Sequence, residues 1–300
     1  AVDALRQRLP CLRGSEELRA LLVLGESYNQ QGQREAALTQ YRTILDRGPN
    51  SAYAPAARYG LAWQQLRAGR YAEAATSFAD VRSADSPLTA PATYYEGVSR
   101  ALLGNTDEAL QRYQTFLETG TDDSLAVAAR YEVGLLRYRQ GRYDEAVDAF
   151  RTVTQDTAPT APVGTAYYWL GNAHLARENL DAALTAYAEA IDRGAASESV
   201  TVEVRFQQAW TLYQNGRYAE AGPLFRTLAD EHPNTARGRD ALFWGGDTFY
   251  QQGQYAQARP LYERYLDTDP ETSRRAGAQY ALAWTYFKER RFERAARWFR

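Results

Sequence analysis

Apolar and small residues recur along this chain in a fixed phase, and the clearest copy lies between Ala129 and Phe150. Ala129, Tyr131, Val133, Gly134 and Tyr138 fall at helical spacing, Gly141 interrupts them, and Tyr143, Ala146, Val147 and Phe150 resume the spacing. The pattern predicts two short helices, A and B, joined by a turn in which Gly141 supplies a left-handed backbone. Gly134 and Ala146 let the helices approach closely, and Tyr143 and Phe150 fill the space beside them. One such hairpin cannot bury both of its faces, so it needs neighbours.

The neighbours are present. Taking Gly134 as a phase mark, its equivalents are Gly25, Ala62, Gly97, Gly171, Ala209, Gly246 and Ala283, at successive steps of 37, 35, 37, 37, 38, 37 and 37 residues through the eight marks. Twelve residues after each mark stands an alanine: Ala37, Ala74, Ala109, Ala146, Ala183, Ala221, Ala258 and Ala295. Four further on stands an aromatic: Tyr41, Phe78, Tyr113, Phe150, Tyr187, Phe225, Tyr262 and Phe299. Seven residues after the mark, six copies carry glycine (Gly32, Gly69, Gly104, Gly141, Gly216, Gly253), and Glu178 and Arg290 replace it in the other two.

A small residue in helix A, a glycine before helix B, then an alanine and an aromatic, with closing prolines at Pro49, Pro233 and Pro270, resembles the tetratricopeptide repeat. The resemblance covers almost the whole chain. It implies an all-α fold: a right-handed superhelical solenoid of about eight antiparallel helix pairs. The period exceeds the family's usual one of about 34. In this it is similar to bacterial cell-envelope members such as the Tol–Pal-associated periplasmic protein and the lipoprotein of the outer-membrane assembly machine, which implies a periplasmic or envelope location.

The expected organisation is a single array over residues 1–300, with a remnant helix at 1–13 and repeats starting near 18, 55, 90, 127, 164, 202, 239 and 276, the last one truncated. The absence of methionine and the stop at Trp298-Phe299-Arg300, inside a helix B, suggest a segment of a longer protein. Ser15 is expected to cap the first full helix A. Asn179 is expected to serve as a poorer turn residue where glycine is missing, and a hinge, if any, falls in 194–199. Pro223 and Pro260, two residues after the alanine, must either bend their helices or delay their starts.

Composition removes several classes of function. A formal charge of −2 argues against nucleic-acid binding by bulk charge, and the arginines at 290, 291, 294 and 297 read as a solvated helix face. No run of apolar residues is long enough for a transmembrane helix. Cys11 is the only cysteine, and His174 and His232 are the only histidines, with no second ligand at metal spacing. No phosphate-binding loop or nucleophile elbow is present. The chain is therefore expected to be non-catalytic, with no metal and no cofactor.

The family resemblance implies a concave groove lined by helix A. The positions three before, one after and four after the mark share one helix face. Among them Tyr59, Trp63, Tyr94, Tyr131, Tyr138, Tyr168, Asn172, Phe206, Trp210, Tyr213, Asp247, Tyr250, Tyr280 and Trp284 are the candidate groove residues. The three-before aromatics could instead pack between successive A helices. The basic residues of a carboxylate-binding groove are missing, so an extended or helical segment with apolar anchors is the expected ligand. The leading expectation is a protein- or peptide-binding scaffold. Its rivals are an architectural spacer, self-association through uncapped ends, and an accessory region of an enzyme whose catalytic part lies elsewhere.

Overall fold

In the computed structural model, residues 2–84, 86–119, 123–156, 162–194, 197–268 and 272–300 are described. Among them are seventeen α-helices and one 3-10 turn, and no strand. The chain divides into two compact units, 1–136 and 137–300. The first unit holds α1 (Val2–Arg8), a 3-10 turn (Leu9–Cys11), α2 (Gly14–Gln30), α3 (Arg34–Arg47), α4 (Ala54–Arg67), α5 (Tyr71–Arg82), α6 (Thr89–Leu102), α7 (Thr106–Thr119) and most of α8 (Asp123–Arg139). The second holds the end of α8, then α9 (Tyr143–Thr154), α10 (Val163–Ala176), α11 (Leu180–Asp192), α12 (Glu198–Gln214), α13 (Tyr218–Glu231), α14 (Ala236–Gln251), α15 (Tyr255–Asp267), α16 (Thr272–Lys288) and α17 (Phe292–Trp298). A helices are the even-numbered ones from α2 and B helices the odd-numbered ones from α3.

The A-to-B turns share one backbone solution. Gly32, Gly69, Gly104, Gly141, Gly216 and Gly253 all sit at φ between 71° and 82°. Glu178 and Arg290 hold the same left-handed conformation at φ 59° without glycine. The turn is thus imposed by the packing of the two helices on each side, at a local cost in strain. Asn179 is not the turn residue: its side-chain oxygen accepts from the Ala182 amide at 3.4 Å and caps α11. Ser15 is not a cap either, because α2 begins at Gly14 after an uncapped Arg13, and the Ser15 hydroxyl points to the Tyr53 phenol at 3.5 Å. Pro223 and Pro260 lie inside α13 and α15, and neither helix starts late: Tyr218 and Tyr255 occupy the register of Tyr143. Both prolines are exposed, where a lost backbone bond is open to water. The proposed hinge falls partly on 195–196, outside the described residues.

The core follows the repeat. All eight phase alanines are buried, and so are seven of the eight phase aromatics; Phe299, at 45% exposure, is the exception. At Gly25, Gly97, Gly171 and Gly246 an added Cβ would lie within 2.5–2.9 Å of the ring of Tyr41, Tyr113, Tyr187 or Tyr262 respectively. A tyrosine ring therefore lies directly on the backbone of helix A, and only glycine leaves it room. One buried charge departs from the pattern. Glu96 takes a position that is Leu24, Leu61, Val133, Leu170 or Leu282 in five other repeats, and it is fully buried. Arg82 Nε reaches its Oε2 at 2.9 Å, Arg100 Nη2 its Oε1 at 2.8 Å, and Arg112 Nε the same oxygen at 3.3 Å. These contacts tie α5, α6 and α7 to one carboxylate, with the desolvation cost offset by multiple partners.

Candidate functional site

The three-before aromatics are fixed by their own hairpin. Tyr59 meets Phe78 at 5.5 Å between ring centroids, Tyr94 meets Tyr113 at 5.7 Å, Tyr168 meets Tyr187 at 6.2 Å, Phe206 meets Phe225 at 5.7 Å, Phe243 meets Tyr262 at 6.1 Å and Tyr280 meets Phe299 at 5.9 Å. They span from helix A to the phase aromatic of helix B, and edge-on contacts of this kind add to area burial. Tyr94 and Phe206 are buried, so they pack the array and do not line an open face. Tyr59, Tyr131 and Tyr168 are half-buried and Tyr280 is exposed.

Residues two before the mark, which the groove reading passes over, form a second wall. They alternate in size: Val23, Tyr95, Trp169 and Trp244 in odd repeats, and Gly60, Glu132, Gln207 and Ala281 in even ones. The residue one after the mark alternates in the opposite sense, with Glu26, Val98, Asn172 and Asp247 in odd repeats and Trp63, Leu135, Trp210 and Trp284 in even ones. The two alternations interlock. Where an even repeat meets the following odd one, large meets large: Trp63 lies 4.4 Å from Tyr95, Trp210 4.5 Å from Trp244, Tyr213 5.3 Å from Trp244 and Tyr138 5.3 Å from Trp169. The repeat unit is therefore two hairpins long. The same double period places tyrosine as the phase aromatic in odd repeats and phenylalanine in even ones.

Where an odd repeat meets the following even one, the junction is polar. The phase tyrosine there carries a buried hydroxyl that needs a partner. Tyr187 donates to Asn172 Oδ1 at 2.7 Å. Tyr262 donates to Asp247 Oδ1 at 3.5 Å, while Tyr213 donates to Asp247 Oδ2 at 2.5 Å and Gln251 Nε2 reaches the same oxygen at 3.4 Å. Burial, and then the bond to the Asp247 carboxylate, push the Tyr213 phenol well above its ordinary pKa. Among the described residues the Tyr113 hydroxyl has no hydrogen-bond partner, and Val98 stands at the paired position. In the first repeat the pair is Tyr41 and Glu26. Burial, and then the Glu26 charge, raise the Tyr41 phenol to about 12.

Among the candidate groove residues, Trp63, Tyr138, Asn172, Trp210, Tyr213, Asp247, Tyr250 and Trp284 are half-buried. Trp210 and Tyr213 stack on each other at 5.4 Å and on the next wall, so they join the packing of the second unit. Tyr250 packs against the core of the second unit and meets Tyr255, at the start of its own helix B, at 5.4 Å between ring centroids. Phe206 is further sandwiched by Arg237, whose guanidinium lies 4.4 Å from its ring. Arg237 also pairs with Glu203 at 2.7 and 2.8 Å. Burial acts to raise the Glu203 carboxyl, but Arg237 and Gln207 outweigh it and hold the pKa below the ordinary range.

His174 is buried with Nδ1 unpaired, and burial together with Arg177 and Arg151 lowers its pKa. Among the described residues no group of histidine, cysteine and acidic side chains could hold a metal ion. Among the described residues no helix is long and apolar enough to cross a membrane.

The repeated hairpins and the shared A-helix face define a helical-repeat scaffold. The tetratricopeptide-repeat pattern matches residues 22–87, 59–124, 96–162, 160–199, 206–273 and 245–300. The chain belongs to the tetratricopeptide-repeat family and is an all-α solenoid. Its fold is similar to that of the C-terminal part of a tetratricopeptide-repeat protein from Cytophaga hutchinsonii, with TM-score 0.69 and 15% identity over 86% of this chain and 98% of that one. It is also similar to a tetratricopeptide-repeat protein from Parabacteroides merdae, with TM-score 0.57 and 17% identity over 90% and 99%. A third similar structure is YrrB, described as having an unusual peptide-binding site, with TM-score 0.54 and 23% identity over 64% and 93%. No curated protein sequence matches the chain.

Proposed function

We propose that the chain is a non-catalytic scaffold that docks a protein or peptide on the aromatic face of its A helices. The observation that carries this reading is the set of half-buried rings at Trp63, Tyr138, Tyr250 and Trp284, each held by ring contacts inside its own unit. Aromatic side chains fixed before binding lose little entropy on contact and bury much area. The family's general use as an interaction scaffold, and the peptide-binding site of the similar YrrB, support the same reading.

The test is capture from an extract of the source cell with the chain as bait, beside a variant carrying Tyr250→Ala and Trp284→Ala. A protein retained by the parent and lost by a variant of equal melting temperature supports groove docking. Equal retention by both refutes it.

One observation favours self-association as a second reading. Tyr280 and Phe287 on α16, Phe292 on the neighbouring α17 and Phe299 just after it are 59%, 44%, 56% and 45% exposed. Light scattering over a dilution series tests this: a mass that stays monomeric at every concentration rules it out. The long period supports a bacterial envelope location, which fractionation of the source cell would check.

A further inference from the structure

The polar junction between the first and second repeats is open. A cavity of about 440 Å³ lies there within the first unit, in the size range of about 300–1,000 Å³ common for ligand pockets. Its walls are Glu26 and Asn29 from α2 and Tyr59, Gly60, Trp63 and Arg67 from α4, with Tyr41 beneath. Gly60 keeps it open from below, since a Cβ there would come within 2.5 Å of the Tyr41 ring. Glu26 is exposed and makes no hydrogen bond or ion pair among the described residues. Asn29, which lines the cavity, accepts at Oδ1 from Gln64 Nε2 at 2.6 Å, so its Nδ2 donor is not engaged in that bond. Trp63 is braced by Phe78 and Tyr95, and its ring is covered on the outer side by the Arg67 guanidinium at 5.9 Å.

The seventh repeat shows what such a carboxylate requires. Asp247 occupies the Glu26 position and is satisfied by a donor on an aromatic ring, the Tyr213 phenol of the preceding repeat. At Glu26 no side chain of the described residues plays that part, and the cavity opens there instead.

We propose that this cavity is a subsite for a single basic side chain, lysine or arginine, of the docked protein or peptide. The side-chain cation pairs with Glu26, its aliphatic stem lies on Tyr59 and Trp63, and Asn29 Nδ2 donates to a backbone carbonyl of the ligand. The inference rests on the docking reading above and adds a charge preference to it. Arg67 sets the limit of the site: its own positive charge on the outer wall disfavours a second cation beside the first.

The test uses the full chain labelled with fluorotryptophan, with the Trp63 resonance assigned by Trp63→Phe. The probes are short, end-blocked alanine peptides carrying one central arginine, lysine, glutamate or leucine. Arginine and lysine peptides should shift the Trp63 signal saturably, and glutamate and leucine peptides should not. Glu26→Gln, which keeps the shape, should weaken the basic peptides about tenfold, as expected for a lost charge-assisted hydrogen bond. Arg67→Gln should leave them unchanged or tighten them. The proposal is overturned by an equal response to glutamate or leucine, by unchanged binding in Glu26→Gln, by loss of binding in Arg67→Gln, or by no saturable shift with any peptide at millimolar concentration. Failure here, with a captured protein still lost by the Tyr250→Ala and Trp284→Ala variant, removes the charge preference alone. A Trp63 response with no protein captured leaves the subsite and removes the docking reading.

Discussion

Glu26 in the first unit and Asp247 in the second hold the same place in the repeat and have opposite fates. Asp247 collects two phenols and an amide, with Trp210 and Trp244 holding one of those phenols in place. Glu26 looks into a cavity beside Gly60. The difference comes from neighbours and not from the acid itself. Asp247 has its donors built in from Tyr213 and Tyr262, whereas Glu26 has no hydrogen-bond partner among the described residues and faces the cavity. In a solenoid each repeat meets only its neighbours, so the same residue type serves structure in one repeat and recognition in another.

The largest way to break the comparison is to release the Tyr213 phenol from Asp247. Trp210→Ala should destabilise the second unit by about 3 kcal/mol, the low end for deleting a large packed aromatic, because this ring is only half-buried. Denaturant melts read this directly. A loss below about 1 kcal/mol would mean that the aromatic wall does not hold the Asp247 cluster.

The helical register is legible in the sequence because it is a sum over eight copies. Small residues must meet large ones at each crossing, and Ala37 through Ala295 and Tyr41 through Tyr262 repeat that demand without variation. The junctions are legible in a different way. Reading eight repeats onto one consensus averages out a property that reverses at every step, such as Gly60 against Tyr95 or Glu26 against Trp63. The signal is present as a two-repeat period, since a buried tyrosine hydroxyl needs a polar partner and a phenylalanine does not. The Glu178 turn is not legible in the same sense. Its left-handed backbone is imposed by packing from elsewhere, so propensity points to the neighbouring Asn179, which turns out to be a cap. The Glu96 cluster is likewise hidden, because Arg82, Arg100 and Arg112 come from three helices with no sequence motif to join them.

Filling the open junction tests the comparison from the other side. Gly60→Ala places a Cβ within 2.5 Å of the Tyr41 ring, so the ring must move or the helices must part. Overpacking of this kind costs about 1–3 kcal/mol, and thermal melts should show it. A neutral result would mean that the Tyr41 ring swings into the cavity, which a loss of basic-peptide binding would then report. In the filled junction, Tyr213→Phe removes one donor from Asp247 and should cost about 1.5 kcal/mol, the lower range for a hydrogen bond to a charged group. The same change should leave the first unit's peptide response unaltered.

The smallest effect is the sharpest discriminator. Glu26→Gln removes a charge that has no partner, so folding stability at neutral pH should change by less than about 0.5 kcal/mol. Its trace should appear instead in the titration of Tyr41. Burial first and Glu26 second raise that phenol from 10.0 to about 12 in the folded chain. A group with a raised folded pKa stabilises the fold below its unfolded value, and that contribution is lost as pH climbs from 10.0 through about 12. With glutamine at position 26 only the burial effect remains, so the Tyr41 pKa should fall part of the way back and this share of the alkaline loss should shrink. Carbon NMR of labelled tyrosine rings would follow Tyr41 and Tyr262 separately. Tyr262, held by Asp247 in the other unit, should not move. If Tyr41 is equally unmoved, the Glu26 carboxylate does not act on the floor of the cavity, and the likeness between the two acids fails at its first repeat.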